Sequence, residues 1–132
     1  MWSNYGKTFI EYIFLDKFKK NTNHIKIINQ EILDKIVIND KPVIFISALL
    51  LGSEDTEIIF PDPGFPIYRS MIKYSGAKAV PLKLSEKDNF EINTEQLKEL
   101  ISDKTSLIII NNPNNPTGSY MNKKKITDLV NL

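Results

Sequence analysis

An α/β fold with a largely parallel sheet is what this sequence predicts, and three observations predict it. From about residue 42 onward, stretches of helical periodicity alternate with short apolar strands, the order that layers helices on a parallel sheet. One of those strands, Leu107-Ile108-Ile109-Ile110, has no polar alternation and therefore reads as buried on both faces. Two proline-stiffened loops, at 61–66 and 111–118, each follow a strand. In a parallel sheet they share one edge, outside the carboxyl ends of the strands, where ligands bind in open α/β sheets.

Length and composition bound the answer. With 132 residues, 42% hydrophobic and 25% charged, the chain suits one soluble globular domain. Seventeen basic and sixteen acidic residues leave a net charge of +1, which offers neither nucleic acid nor an anionic membrane an electrostatic handle. The absence of cysteine removes disulfides, thiolate catalysis and cysteine–zinc sites. His24 is the only histidine, so no histidine-cluster metal site is expected. Glu11 and Asp16 interrupt the apolar residues near the N-terminus, against a signal peptide or membrane span. The location expected from these features is cytoplasmic.

In chain order, residues 1–39 form an N-terminal segment with little legible chemistry. Phe9, Ile10, Ile13, Phe14 and Phe18 recur at helical spacing and predict an amphipathic helix, broken by Asn21-Thr22-Asn23. The isoleucine-rich stretch 25–38 fits strand or helix equally. Residues 40–132 form the second unit. Pro42 suits a first helical turn, and residues 43–51 are apolar on nearly every side until Gly52, predicting a buried helix. Ile58-Ile59-Phe60 predicts a buried strand. Tyr68, Met71 and Ile72 give the next helix its apolar face, with Gly76 as its stop. Ala79, Val80, Leu82 and Leu84 mark a strand that Pro81 assigns to an edge or a strand end. Asn93 and Gln96 resemble a capping box before a helix carrying Leu97, Leu100 and Ile101. After strand 107–110, a last helix begins near Asn122 with Ile126, Leu129 and Val130 on its inner side; Lys123-Lys124-Lys125 read as a solvated run.

The two loops carry the chemistry. The first, Pro61-Asp62-Pro63-Gly64-Phe65-Pro66, offers an aromatic ring on a stiff turn; the second, Asn111-Asn112-Pro113-Asn114-Asn115-Pro116-Thr117-Gly118, offers side-chain amides. Prolines leave both loops few conformations. A ring to stack on, beside amides that can bond a hydroxyl or phenolate, describes a pocket for a flat heteroaromatic with a polar edge.

These motifs, together with Lys41-Pro42-Val43-Ile44-Phe45, Gly76 and Pro81, resemble the class I/II aminotransferases, the pyridoxal 5'-phosphate (PLP) enzymes of fold type I. The likeness covers roughly residues 36–132, and the two motifs in this order are far more specific than either alone. The resemblance implies a partial three-layer α/β/α large domain that binds PLP. At matching positions, Phe65 is the aromatic that stacks on the cofactor's pyridine ring and Asn115 the amide that donates to its phenolic oxygen. Tyr68 stands at a position near the cofactor that is often aromatic, and it equally reads as a core aromatic of its helix. Thr117 and Asn114 read as structural. Amino acid and 2-oxo acid substrates and a homodimer are implied by the same resemblance.

The sequence departs from the family pattern in two places. The glycine-rich turn that cradles the cofactor phosphate is replaced by Val37-Ile38-Asn39-Asp40-Lys41-Pro42, which puts a carboxylate where an anion docks. The family's pyridine-nitrogen aspartate, Schiff-base lysine and substrate-clamping arginine all lie beyond the asparagine motif, and Leu132 precedes them. No catalytic residue is assigned here, and the expectation is an N-terminal-side fragment that does not transaminate alone. A lyase or synthase of the same fold, and a non-catalytic remnant acting as a binding module, are the alternative readings.

Overall fold

The apolar run 58–60 lies inside one strand, and the run 107–110 begins in its parallel neighbour, which starts at Thr105 and stops at Ile108, two residues short of the predicted end. The helices arrange themselves around that pair. The computed structural model describes residues 12–14, 26–28, 40–130 and 132. In chain order these give strands β1 (Tyr12–Phe14) and β2 (Lys26–Ile28), helix α1 (Asp40–Leu51), β3 (Glu57–Asp62), α2 (Ile67–Tyr74), β4 (Lys78–Lys83), a 3-10 turn at Glu86–Asp88, α3 (Thr94–Leu100), β5 (Thr105–Ile108) and α4 (Lys123–Val130). The sheet runs β2-β1-β5-β3-β4. β3 pairs in parallel with β4 and β5, whereas β1 is antiparallel to both β5 and β2.

Alternation along the strands separates two cores. Ile58 and Phe60 of β3, with Leu107 and Ile109, face the layer made by α1 and α2. Ile59, Ile108 and Ile110 face the opposite layer, where Leu97 of α3 and Leu129 of α4 cover them. That is the predicted three-layer α/β/α arrangement. Complete burial of one such aliphatic side chain is worth about 1.5–3 kcal/mol, so these strands anchor the molecule. Pro81 sits in β4, the last strand of the sheet order, where its missing N–H is tolerated. Asn93 caps α3 by accepting from the amides of Glu95 (2.9 Å) and Gln96 (3.1 Å), and Asn122 caps α4 through Lys125 N at 2.9 Å.

Three expectations need correction. Tyr12–Phe14 lies within the predicted N-terminal helix but forms a strand. Three consecutive aromatic and β-branched residues suit a pleated surface, and pairing with β2 and β5 supplies the hydrogen bonds that periodicity alone did not foresee. The rest of that predicted helix lies outside the described residues, as does most of the isoleucine-rich stretch apart from β2. Second, α1 is not buried all round. Ile44, Ser47 and Ala48 are buried against α2 and β5, but Ile46, Leu49 and Leu50 are 50%, 43% and 78% exposed. Only one side of this helix is covered by the described residues. Third, Lys125 is not part of a purely solvated run, since it pairs with Glu91. No helix among the described residues is long and apolar enough to cross a membrane.

The amino edge of the sheet is pinned by one carboxylate. Glu57 Oε1 accepts from Lys78 Nζ at 2.8 Å and its Oε2 from Ser102 Oγ at 2.7 Å, joining β3 to β4 and to the segment before β5. The side chain is only 13% exposed. Hydrogen bonding by Lys78, then by Ser102, holds its carboxyl below the ordinary value of 4.5, against the opposing effect of burial. A lowered folded value contributes stability that is complete above 4.5 and is lost as pH falls through the folded value. Glu57→Gln is therefore expected to flatten the acid limb of a melting-temperature profile below that pH, and an unchanged limb would show that other carboxylates set it.

Candidate functional site

The connections leaving β3 and β5 diverge. From β3 the chain passes through residues 63–66 into α2, on one face of the sheet; from β5 it passes through residues 109–122 into α4, on the other. Adjacent parallel strands whose exits go to opposite faces leave a crevice at their carboxyl ends, the place where open α/β sheets bind ligands. Both proline-stiffened loops stand at this crevice. Their X–Pro bonds Asp62–Pro63, Asn112–Pro113 and Asn115–Pro116 are cis.

Each asparagine of the second loop has a different task. Asn112 is buried and grips the loop's far end, its Nδ2 donating to Met121 O at 3.0 Å and its Oδ1 accepting from Met121 N at 2.8 Å. Asn114, only 6% exposed, donates through Nδ2 to Thr117 Oγ1 (2.8 Å) and across to Pro63 O (3.1 Å). That second bond ties the loop of Asn115 to the loop of Phe65. A tight turn then closes, with Gly118 N donating to Asn114 O at 2.7 Å and Asn114 N to Ser119 O at 2.8 Å. Gly118 has φ +71 and nothing within 4 Å of a built Cβ, so glycine is needed there for its left-handed backbone and not for space. Asn115 is exposed, and none of the described residues hydrogen-bonds its side chain.

On the first loop, the half-buried Phe65 ring meets Tyr68 edge-on, with centroids 5.9 Å apart and planes at 77°. Tyr68 N donates to Phe65 O at 3.1 Å as α2 begins. Tyr68 is 2% exposed and belongs to the core, so it bears on the crevice through the Phe65 ring. Asp62, at the end of β3, pairs with Lys83, and Arg69 Nη2 stands 3.7 Å from it. The Arg69 guanidinium also lies 5.1 Å over the Phe60 ring.

The structure thus brings together the loops of Phe65 and Asn115, and it gives Asn114 and Thr117 the structural part predicted for them. The grip of Asn112 on Met121 was not anticipated; a buried amide in an Asn/Pro run is its one sequence signal, and the partner nine residues on gives none. α1 also begins toward this edge. It packs on α2, and both helices end side by side, since a Cβ at Gly52 would meet Ser75 Oγ at 2.2 Å. Residues 37–39, part of the replaced phosphate turn, lie outside the described residues. A wider open depression of about 480 Å³ is lined by Asp88, Glu91, Glu95 and Lys125. It contains none of the predicted site residues, and its carboxylates suit an anionic ligand poorly.

Comparison with known proteins gives a consistent answer. Residues 41–132 match the family model for aminotransferases of class I and II. The chain is 31% identical over 129 residues to an aspartate aminotransferase of Pyrococcus abyssi, covering 98% of this chain and 33% of that protein. It is 36% identical over 83 residues to a tyrosine aminotransferase of Dictyostelium discoideum, covering 63% of this chain and 20% of that protein. Among solved structures, aspartate aminotransferase from Thermus thermophilus with maleate superposes with a TM-score of 0.65 at 25% identity, over 67% of this chain and 23% of that one. The chain therefore spans a third or less of the length of these relatives.

Proposed function

Because this chain belongs to the class I and II aminotransferase family, we propose that its crevice is one wall of a PLP site, serving transfer of an amino group between an amino acid and a 2-oxo acid. The family is PLP-dependent. The observation that carries the reading is the Asn114–Pro63 bond, which fixes a stacking ring, and an amide that none of the described residues bonds, on two joined loops at a switch point. The residues fit the group on two counts. Phe65 is held edge-on by Tyr68 with its ring only half buried, and Asn115 keeps its amide donors for an incoming acceptor. Phe65 would cover one face of the pyridine ring and keep water from it. Asn115 Nδ2 would donate to the phenolic oxygen and so favour its ionised form. Tyr68 positions Phe65. Bound PLP supplies the electron-withdrawing ring that the amino-group chemistry needs.

The phosphate end fits less well. By sequence, Asp40 stands where the family has its glycine-rich turn, and an acidic residue at that position would oppose a phosphate. The Schiff-base lysine belongs to a part of the family pattern that residues 1–132 do not match, so activity, substrates, the homodimer and a cytoplasmic setting remain parts of this proposal for the whole protein. The division at 39/40 is also proposed, although β1 and β2 join the sheet of the second unit. A second reading, a non-catalytic binding module, is favoured by the exposed Ile46, Leu49 and Leu50 on α1.

The discriminating experiment titrates the ¹⁵N-labelled chain with a PLP analogue that lacks the aldehyde, so that no lysine adduct can form. Shifts are expected at residues 63–68 and 111–118, including the Asn115 side-chain amide, and are expected to weaken severalfold in Asn115→Ala and Phe65→Leu. Shifts confined to other surfaces, or none at millimolar analogue, would defeat the PLP reading.

A further inference from the structure

Between the ends of the two loops lies a small cavity of about 10 Å³, lined by Pro61, Leu84, Asn111, Asn114, Ser119 and Met121 among others. Among the described residues, two buried side-chain polar atoms have no hydrogen-bond partner: Asn111 Oδ1 and Asn114 Oδ1. Both belong to residues that line this one cavity. An unpaired buried acceptor costs about 1–3 kcal/mol, and two at one small void call for a common donor. We infer that the cavity is a binding site for a single water molecule, which donates one O–H to each amide oxygen.

The hydroxyls nearby supply the third bond. Thr117 Oγ1 accepts from Asn114 Nδ2 at 2.8 Å and from Ser119 N at 3.4 Å, which occupies both of its lone pairs. Its own proton is therefore directed to Ser119 Oγ, 3.0 Å away. Ser119 is thereby left with its hydroxyl proton to donate, and Ser119 lines the cavity. The water accepts that proton and completes a chain from Asn114 Nδ2 through Thr117 and Ser119 back to Asn114 Oδ1. Three bonds are the usual complement of a buried water, and about 10–15 Å³ is the least space that holds one. Nothing larger fits. The water joins the segment after β5, through Asn111, to the asparagine that braces the Phe65 loop, so it belongs to the rigidity of the crevice and does not depend on what the crevice binds.

A high-resolution crystal structure of the chain, with no cofactor added, tests this. One density peak is expected within about 3 Å of both Oδ1 atoms and of Ser119 Oγ. In solution, the amide protons of Ser119 and Met121 are expected to show cross-relaxation with a long-lived water. Ser119→Ala removes the donor without touching either asparagine, and is expected to shorten that water's residence at least tenfold while the amide spectrum stays folded. A collapsed or dry cavity, flipped asparagine amides bonded to protein donors, a peak at the shorter distances of a bound cation, or unchanged water exchange in Ser119→Ala would each overturn the inference. Because every readout is made without cofactor, failure here leaves the PLP proposal untouched, and the reverse holds.

Discussion

Cutting Ile59 back to alanine is expected to destabilise the chain by about 2–5 kcal/mol. Ile59 is 0% exposed and stands in the middle of the strand that pairs on both sides, with β4 and with β5. Its side chain faces the core closed by α3 and α4, where Leu82, Leu97 and Ile108 surround it. Strands held on both edges cannot shift to fill a void, so the cavity term adds to the lost transfer energy. A domain of this size has about 5–15 kcal/mol in total, so the loss is a large share of it. The measurement is denaturant unfolding, with a lower midpoint and an unchanged slope. A loss below about 1 kcal/mol would mean that the core relaxes around the site, as tightly paired strands should not.

The second large effect separates two adjacent asparagines. Asn114→Leu removes the donor to Pro63 O and Thr117 Oγ1 and is expected to cost roughly 1–3 kcal/mol, because two part-buried acceptors lose their partner. Asn115→Ala, one residue on, is expected to change stability by less than about 0.5 kcal/mol, since that side chain is exposed. The aromatic near-ultraviolet signal provides a second readout. With the brace gone, the Phe65–Tyr68 pair loses its fixed relation to the second loop, and the signal should fall in Asn114→Leu but not in Asn115→Ala. Equal costs for the two substitutions would show that the loops do not depend on Asn114. Unequal costs would place stability on Asn114 and leave the exposed Asn115 for the proposed ligand contact.

Much of this was legible in the chain. The unbroken apolar run at 107–110 announced a strand buried on both sides, and its residues do alternate between the two cores. Asn93 announced the cap of α3, and Pro81 announced an edge strand. The asparagine–proline motif was recognisable as a stiff loop leaving a buried strand, because its prolines and asparagines have few conformations there. Its internal division of labour was not legible. Asn112, Asn114 and Asn115 are chemically identical in sequence, and they differ only in what lies opposite: Met121, Pro63, or solvent.

What the sequence determined by itself was the order of strands and helices from residue 40 onward, the buried character of β3 and β5, and the family to which residues 41–132 belong. Those properties follow from local pattern: periodicity, caps, and motifs read within a few residues. Only the tertiary structure decided that Tyr12–Phe14 is a strand, that α1 buries a single side, and that Asn114 spans fifty-one residues to hold the loop of Phe65. Each of these depends on a partner distant in the chain. A periodic pattern says which face of an element is apolar, but the hydrogen bonds and packing that fix it come from whatever the fold brings against it.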